Sequence, residues 1–115
     1  MPSDAAIAAL RDMEHHIGLA NQFVAGLDFE AFRDDTRAVY AAVTRCLEII
    51  SEASRRLPGE MKGRYPLIAW KDMAGAGNVY RHEYEDVAAK LVWDTVKMAL
   101  PPLRDIVGRE LASHG

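Results

Sequence analysis

Residues 75–86 read Gly75-Ala76-Gly77-Asn78-Val79-Tyr80-Arg81-His82-Glu83-Tyr84-Glu85-Asp86 and hold the densest chemistry in the chain. A histidine titrates near neutral pH, so it can give or take a proton under cellular conditions. An adjacent guanidinium can hold a phosphate and stabilise the charge that develops on it in a transition state. On a helix, Asn78, Arg81, His82 and Glu85 or Asp86 share one face, while Tyr80 and Tyr84 lie four apart on another. Arginine, histidine and a polar amide are enough to cleave a phosphodiester next to a ribose hydroxyl without a metal. The same side chains also describe the solvated polar end of a helix. Residue types alone leave both readings open.

A metal centre is the third possibility. His82 with Asp86, and Asp12 with His16, are pairs at i,i+4. Carboxylate-bridged di-iron bundles use a Glu-x-x-His pair from each of two helices, and that pattern does not occur anywhere in this sequence. The expectation is no metal and no cofactor. His15 and His16 read as solvent-facing or packed on a neighbouring helix, Trp70 and Trp93 as core or interface anchors. Cys46 sits beside an apolar stripe and reads as a buried, inert thiol.

Helices must position these groups. Ser3 or Asp4 can cap a first helix whose apolar face is Ile7, Leu10, Ile17, Ala20 and Val24, closed near Gly26. Asp28 and "FEAFRDD" predict a short helical turn, followed by a new start near Asp34 or Asp35. The second long helix carries the stripe Val39, Val43, Leu47, Ile50, Ala53 and Leu57, and Pro58-Gly59 stops it. Residues 58–69 hold two prolines and two glycines and are expected to be a loop.

Trp70 opens a third helix that runs into the reactive stretch. Gly75 and Gly77 each cost up to about 1 kcal/mol inside a helix, which suggests that something approaches closely there. Asp86 can cap a fourth helix with Val87, Leu91, Val92, Val96 and Leu100 inward. Pro101-Pro102 must kink or restart it, because Pro101 lacks an N–H and clashes with the preceding turn. No alternating strand pattern of useful length appears. The prediction is an all-α, up-and-down four-helix bundle forming a single domain over residues 1–115.

Composition narrows the function classes. Half of the 115 residues are hydrophobic, enough for a core, and the net charge of -3 gives no bulk electrostatic reason to bind nucleic acid. One cysteine permits no internal disulfide and suits a reducing compartment. No apolar run approaches the roughly 20 residues that cross a bilayer, and the first residues do not read as a signal peptide. A cytoplasmic protein with no membrane partner is expected.

Three blocks, "RAVYAAVTRCLEIISEASRRLP", "YPLIAWKDMAGAGNVYRHEYEDV" and "VWDTVKMALPPLRDIV", resemble the HepT-like proteins of the HEPN superfamily over roughly Ile7 to Val107. The resemblance implies a homodimer of four-helix bundles and a metal-independent ribonuclease acting on RNA. It also implies the toxin half of a prokaryotic toxin–antitoxin pair. The implied partner is a minimal nucleotidyltransferase antitoxin, which silences the toxin by attaching AMP to a tyrosine. In the family motif an arginine precedes a histidine-x-tyrosine by a few residues. His82 and Tyr84 match the histidine and the tyrosine, and Asn78 matches the polar residue after the arginine. The arginine itself falls at position 77, where this chain has Gly77.

Arg81 lies one helical turn from that position and is the substitute the resemblance suggests. The catalytic set implied is therefore His82, Arg81 and Asn78, with Tyr84 as the modified residue. Gly77 keeps a second reading in view: a nuclease-inactive module that docks a nucleotidyltransferase and displays Tyr84.

Overall fold

The computed structural model describes residues 3–34, 38–75 and 85–113. All the regular structure among them is helical: α1 (Asp4–Val24), α2 (Phe29–Asp34), α3 (Ala38–Arg55), α4 (Gly59–Gly63), α5 (described over 70–75), α6 (Glu85–Asp94), a π-helical turn (Thr95–Ala99) and α7 (Leu100–Ala112). The all-α class expected from periodicity is what is found. No helix among the described residues is long and apolar enough to cross a membrane.

Local signals explain most boundaries. Ser3 Oγ accepts from the Ala6 amide at 3.2 Å and caps α1. Gly26, with φ near +80°, supplies the left-handed residue that ends it. Asp28 Oδ1 accepts from the Ala31 amide at 2.8 Å and starts α2. The stripe expected on α1 is buried at Leu10, Ile17, Ala20 and Val24, with Met13 beside it. On α3 the expected stripe is buried at Val43, Leu47, Ile50 and Ala53, and Leu57 follows just beyond its end. The two faces meet each other, and α7 joins them through Leu100, Leu103 and Val107. Aromatic rings close the other end, where α2 packs on α6: Trp93 lies 5.3 Å from Phe32 and 6.1 Å from Phe29, centroid to centroid.

Four expectations need correction or refinement. Residues 58–69 are not all loop, since α4 forms directly after Pro58. Proline's fixed φ suits a helix start, and the Pro58 carbonyl accepts from the Lys62 amide at 3.1 Å. Leu91, expected inward, is 37% exposed. The buried line runs instead through Ala89, Val92, Val96, Leu100, Leu103 and Val107. The prolines at 101 and 102 do not break the helix. They occupy its first positions after the π turn, and Asp94, Ala99 and Leu100 all keep right-handed helical backbone.

Neither proline has an N–H to give, and the ring of Pro101 would strike the carbonyl of Lys97 in a regular α-turn. A π turn widens the helix there, with the Leu100 amide reaching back five residues to the Thr95 carbonyl. Finally, a Cβ added to Gly75 would meet nothing within 4 Å among the described residues, so no close approach by any of them explains that glycine. Of the two expected starts of α3, Asp34 is the last residue of α2 and Asp35 lies outside the described residues.

Candidate functional site

Asn78, Gly77, Arg81, His82 and Tyr84 lie outside the described residues. The described residues define what holds the two flanks of that stretch. On the upstream flank, the carbonyl of Ala74 accepts two bonds from α3: one from Ser51 Oγ at 2.9 Å and one from Arg55 Nη1 at 2.7 Å. Trp70 fixes the start of α5, its indole N–H shared between the carbonyls of Lys62 at 3.0 Å and Tyr65 at 3.1 Å. On the downstream flank, Lys90 reaches Asp94 at 3.0 Å and lies over the Phe29 ring, and Lys97 lies over Trp93.

A polar clamp ties this corner to α7. Glu110 is buried, and its carboxylate accepts from Arg64 Nη2 at 2.8 and 2.9 Å and from the Tyr65 hydroxyl at 2.6 Å. Donating to that carboxylate raises the Tyr65 phenol above its ordinary value, with burial adding to the rise. The same hydrogen bond raises Arg64.

Between the 67–73 segment and the π turn lies an open cleft of about 360 Å³, lined by Leu67, Ile68, Asp72, Met73, Thr95 and Met98 among others. Its rim is apolar and bare: Leu67 is 99% exposed and Met98 73% exposed. The π turn forms one wall. The Thr95 hydroxyl donates to the Leu91 carbonyl at 2.7 Å, a bond that commonly bends or loosens a helix locally.

The remaining sequence candidates fall as follows. The Asp12–His16 pair does not present a joint ligand set. His16 Nδ1 bonds the Asp12 backbone carbonyl at 2.7 Å, and the Asp12 carboxylate pairs with Arg56 at 2.9 Å. No group of three metal-ligating side chains occurs among the described residues. His15 is exposed and stacks edge-on against His16. Cys46 is buried, and burial raises its thiol pKa, as expected of an unreactive cysteine. Trp70 and Trp93 are packed against the core cluster, as expected of anchors.

Sequence reasoning missed the Ser51–Arg55 anchor and the Glu110 clamp. A signal for both was present. Ser51 follows Leu47 by four residues, and Glu110 follows Val107 by three, so each is a polar residue on a buried line. A polar side chain there needs a partner.

A family model described as ribonuclease HepT-like matches residues 13–110. "Probable ribonuclease HepT" of Thermococcus cleftensis is 36% identical over 95 residues, covering 83% of this chain and 86% of the relative. "Putative RNase MJ0125" of Methanocaldococcus jannaschii is 33% identical over 104 residues, covering 90% of this chain and 89% of the relative. No solved structure matches the chain.

Proposed function

The chain belongs to the HepT-like ribonuclease family, and from that premise we propose that it is an endoribonuclease toxin whose reacting groups lie at 78–84. The observation that carries this reading is the family match over residues 13–110, which spans the His82-Glu83-Tyr84 motif from end to end. His82 takes the proton from a ribose 2′-hydroxyl. The freed oxygen attacks the adjacent phosphorus, the bond to the 5′-oxygen breaks, and the protonated His82 gives its proton to that leaving oxygen. Products are a 2′,3′-cyclic phosphate and a 5′-hydroxyl. Arg81 holds the scissile phosphate in place of the arginine missing at Gly77, and Asn78 orients one of the two. Nothing in the step calls for a divalent metal.

Regulation follows from Tyr84. A minimal nucleotidyltransferase antitoxin transfers AMP from ATP to its hydroxyl with release of pyrophosphate, placing a bulky anion two residues from His82, where it repels and blocks an RNA phosphate. The working unit is a homodimer. The bare apolar rim of Leu67 and Met98 supports contact with a second copy. A stable dimer should bury more than about 1,000 Å².

A second reading is favoured by Gly77 itself: a nuclease-inactive module that docks the nucleotidyltransferase and displays Tyr84. One experiment separates the two. The purified wild-type chain and His82→Ala are assayed on RNA with EDTA present. The ribonuclease reading expects cleavage by the wild type and a loss of about 10²–10⁴-fold in the variant. A wild type that cuts nothing, yet gains AMP on Tyr84 when co-expressed with its nucleotidyltransferase, establishes the second reading instead.

A further inference from the structure

Ser51 and Arg55 stand one turn apart on α3, and both donate to one backbone oxygen. The acceptor, the carbonyl of Ala74, lies 23 and 19 residues further along the chain. A carbonyl offers two lone pairs, so two side-chain donors fix both its place and its direction. The Ser51 hydroxyl belongs to a buried residue, while the Arg55 guanidinium adds a short, charge-assisted bond from the exposed side. Nothing local requires this arrangement. Ser51 could have bonded back along its own helix, as Ser54 does to the Ser51 carbonyl at 2.6 Å. Instead it reaches across to α5.

We propose that Arg55, acting with Ser51, is a positioning residue for the ribonuclease site: it anchors Ala74 and so sets where the segment carrying Asn78, Arg81 and His82 begins. Ala74 precedes Gly77 by three residues and His82 by eight. Reacting groups must be held within about 0.5 Å of productive geometry, and a displacement of about 1 Å can cost a hundredfold in rate. A tether at the root of the segment is therefore worth more to catalysis than to stability. The isolated exposed bond of an arginine adds little to stability. Arg55 touches neither substrate nor His82 in this role. This inference rests on the ribonuclease reading above.

The test compares the wild type, Arg55→Ala, Arg55→Lys and Ser51→Ala, all as the full chain, on a fluorogenic RNA oligonucleotide. Hydrogen exchange over residues 70–75 is measured on the same samples. The expected result for Arg55→Ala is a kcat lowered by about 10–100-fold with KM within about twofold. Exchange over 70–75 should quicken while the rest of the chain is unchanged. Arg55→Lys, which can still donate to the carbonyl, should recover most of the rate. A kcat equal to the wild type in Arg55→Ala overturns the proposal. So does a raised KM at unchanged kcat, which would make Arg55 an RNA contact, and so does a lysine variant as slow as the alanine one. A wild type that cuts no RNA overturns the ribonuclease reading instead. The anchor is then judged by exchange alone, where unchanged rates in Arg55→Ala overturn it and faster rates support it.

Discussion

Ile17, Ile50 and Leu103 are wholly buried in the apolar cluster of α1, α3 and α7, while residues 58–75 place Met61 in that cluster, rest Ile68, Trp70 and Met73 against it, and add directed polar bonds. The Glu110 carboxylate, the Ser51 hydroxyl and the Arg55 guanidinium tie that corner to α7 and α3, and the Trp70 indole ties it internally to the carbonyls of Lys62 and Tyr65. The difference matters because the two kinds of force do different things. Apolar burial supplies most of the folding free energy but tolerates small shifts in position. Hydrogen bonds contribute less in net terms but fix direction. The corner that leads into the reactive stretch adds the second kind to a smaller share of the first.

That contrast can be broken by mutation, starting with the core. Ile17→Ala should cost about 2–5 kcal/mol, read as a lowered denaturation midpoint in urea, because a fully buried branched side chain leaves a cavity. A loss below about 1 kcal/mol would show that the core is looser than its burial implies. In the corner, Glu110→Ala should cost about 1–3 kcal/mol, since it removes the shared acceptor of Arg64 and Tyr65. If Glu110→Ala matches or exceeds Ile17→Ala, the corner is no weaker than the core and the distinction falls.

The next effect depends on pH. Donation to Glu110 raises the folded-state pKa of Tyr65 above the ordinary phenol value near 10. A raised folded pKa means that the folded state holds its proton more tightly than the unfolded chain. The contribution is therefore complete below about pH 10 and is lost as pH climbs through the raised value. The stability difference between the wild type and Tyr65→Phe should stay constant from neutral pH to about pH 10 and shrink above it. A difference that instead disappears on acidification alone, with no alkaline limb, would contradict the assignment of the phenol as donor.

The smallest effect is expected at the π turn. Thr95→Val keeps the shape of the side chain and deletes its hydroxyl with the bond to the Leu91 carbonyl, so stability should change by less than about 0.5 kcal/mol. A loss of more than about 1.5 kcal/mol would mean that the hydroxyl, and not the two prolines, holds the helix open there.

The fold was more legible than the corner. The stripes of α1 and α3, the caps at Ser3 and Asp28 and the stop at Pro58 all rest on contacts between residues at most four apart, and sequence spacing reports such contacts directly. Leu91 was misplaced because the buried line of this helix runs through Ala89, Val92 and Val96, and an apolar residue flanking that line reads as part of it although it is left partly exposed. The short helix α4 was missed because Pro58 and Gly59 read as breakers although proline favours a helix start. At the candidate site, His82 and Tyr84 were legible as a motif because the chemistry and the spacing lie within one short stretch. Arg55 was not, because its partner is a backbone carbonyl 19 residues away.

The sequence by itself determined the helical class, the apolar faces, the family and the residues on which a ribonuclease reading rests. All of these are carried by side-chain identity and short-range spacing. Only the tertiary structure decided that Ser51 and Arg55 converge on Ala74 and that Glu110 gathers Arg64 and Tyr65. It alone decided that the prolines after Ala99 are absorbed by a wider turn. For the Ala74 anchor the cause is that a backbone carbonyl carries no side-chain label. Every residue's carbonyl is the same acceptor whatever its side chain, so the choice among them is made by packing, which brings distant segments within bonding distance.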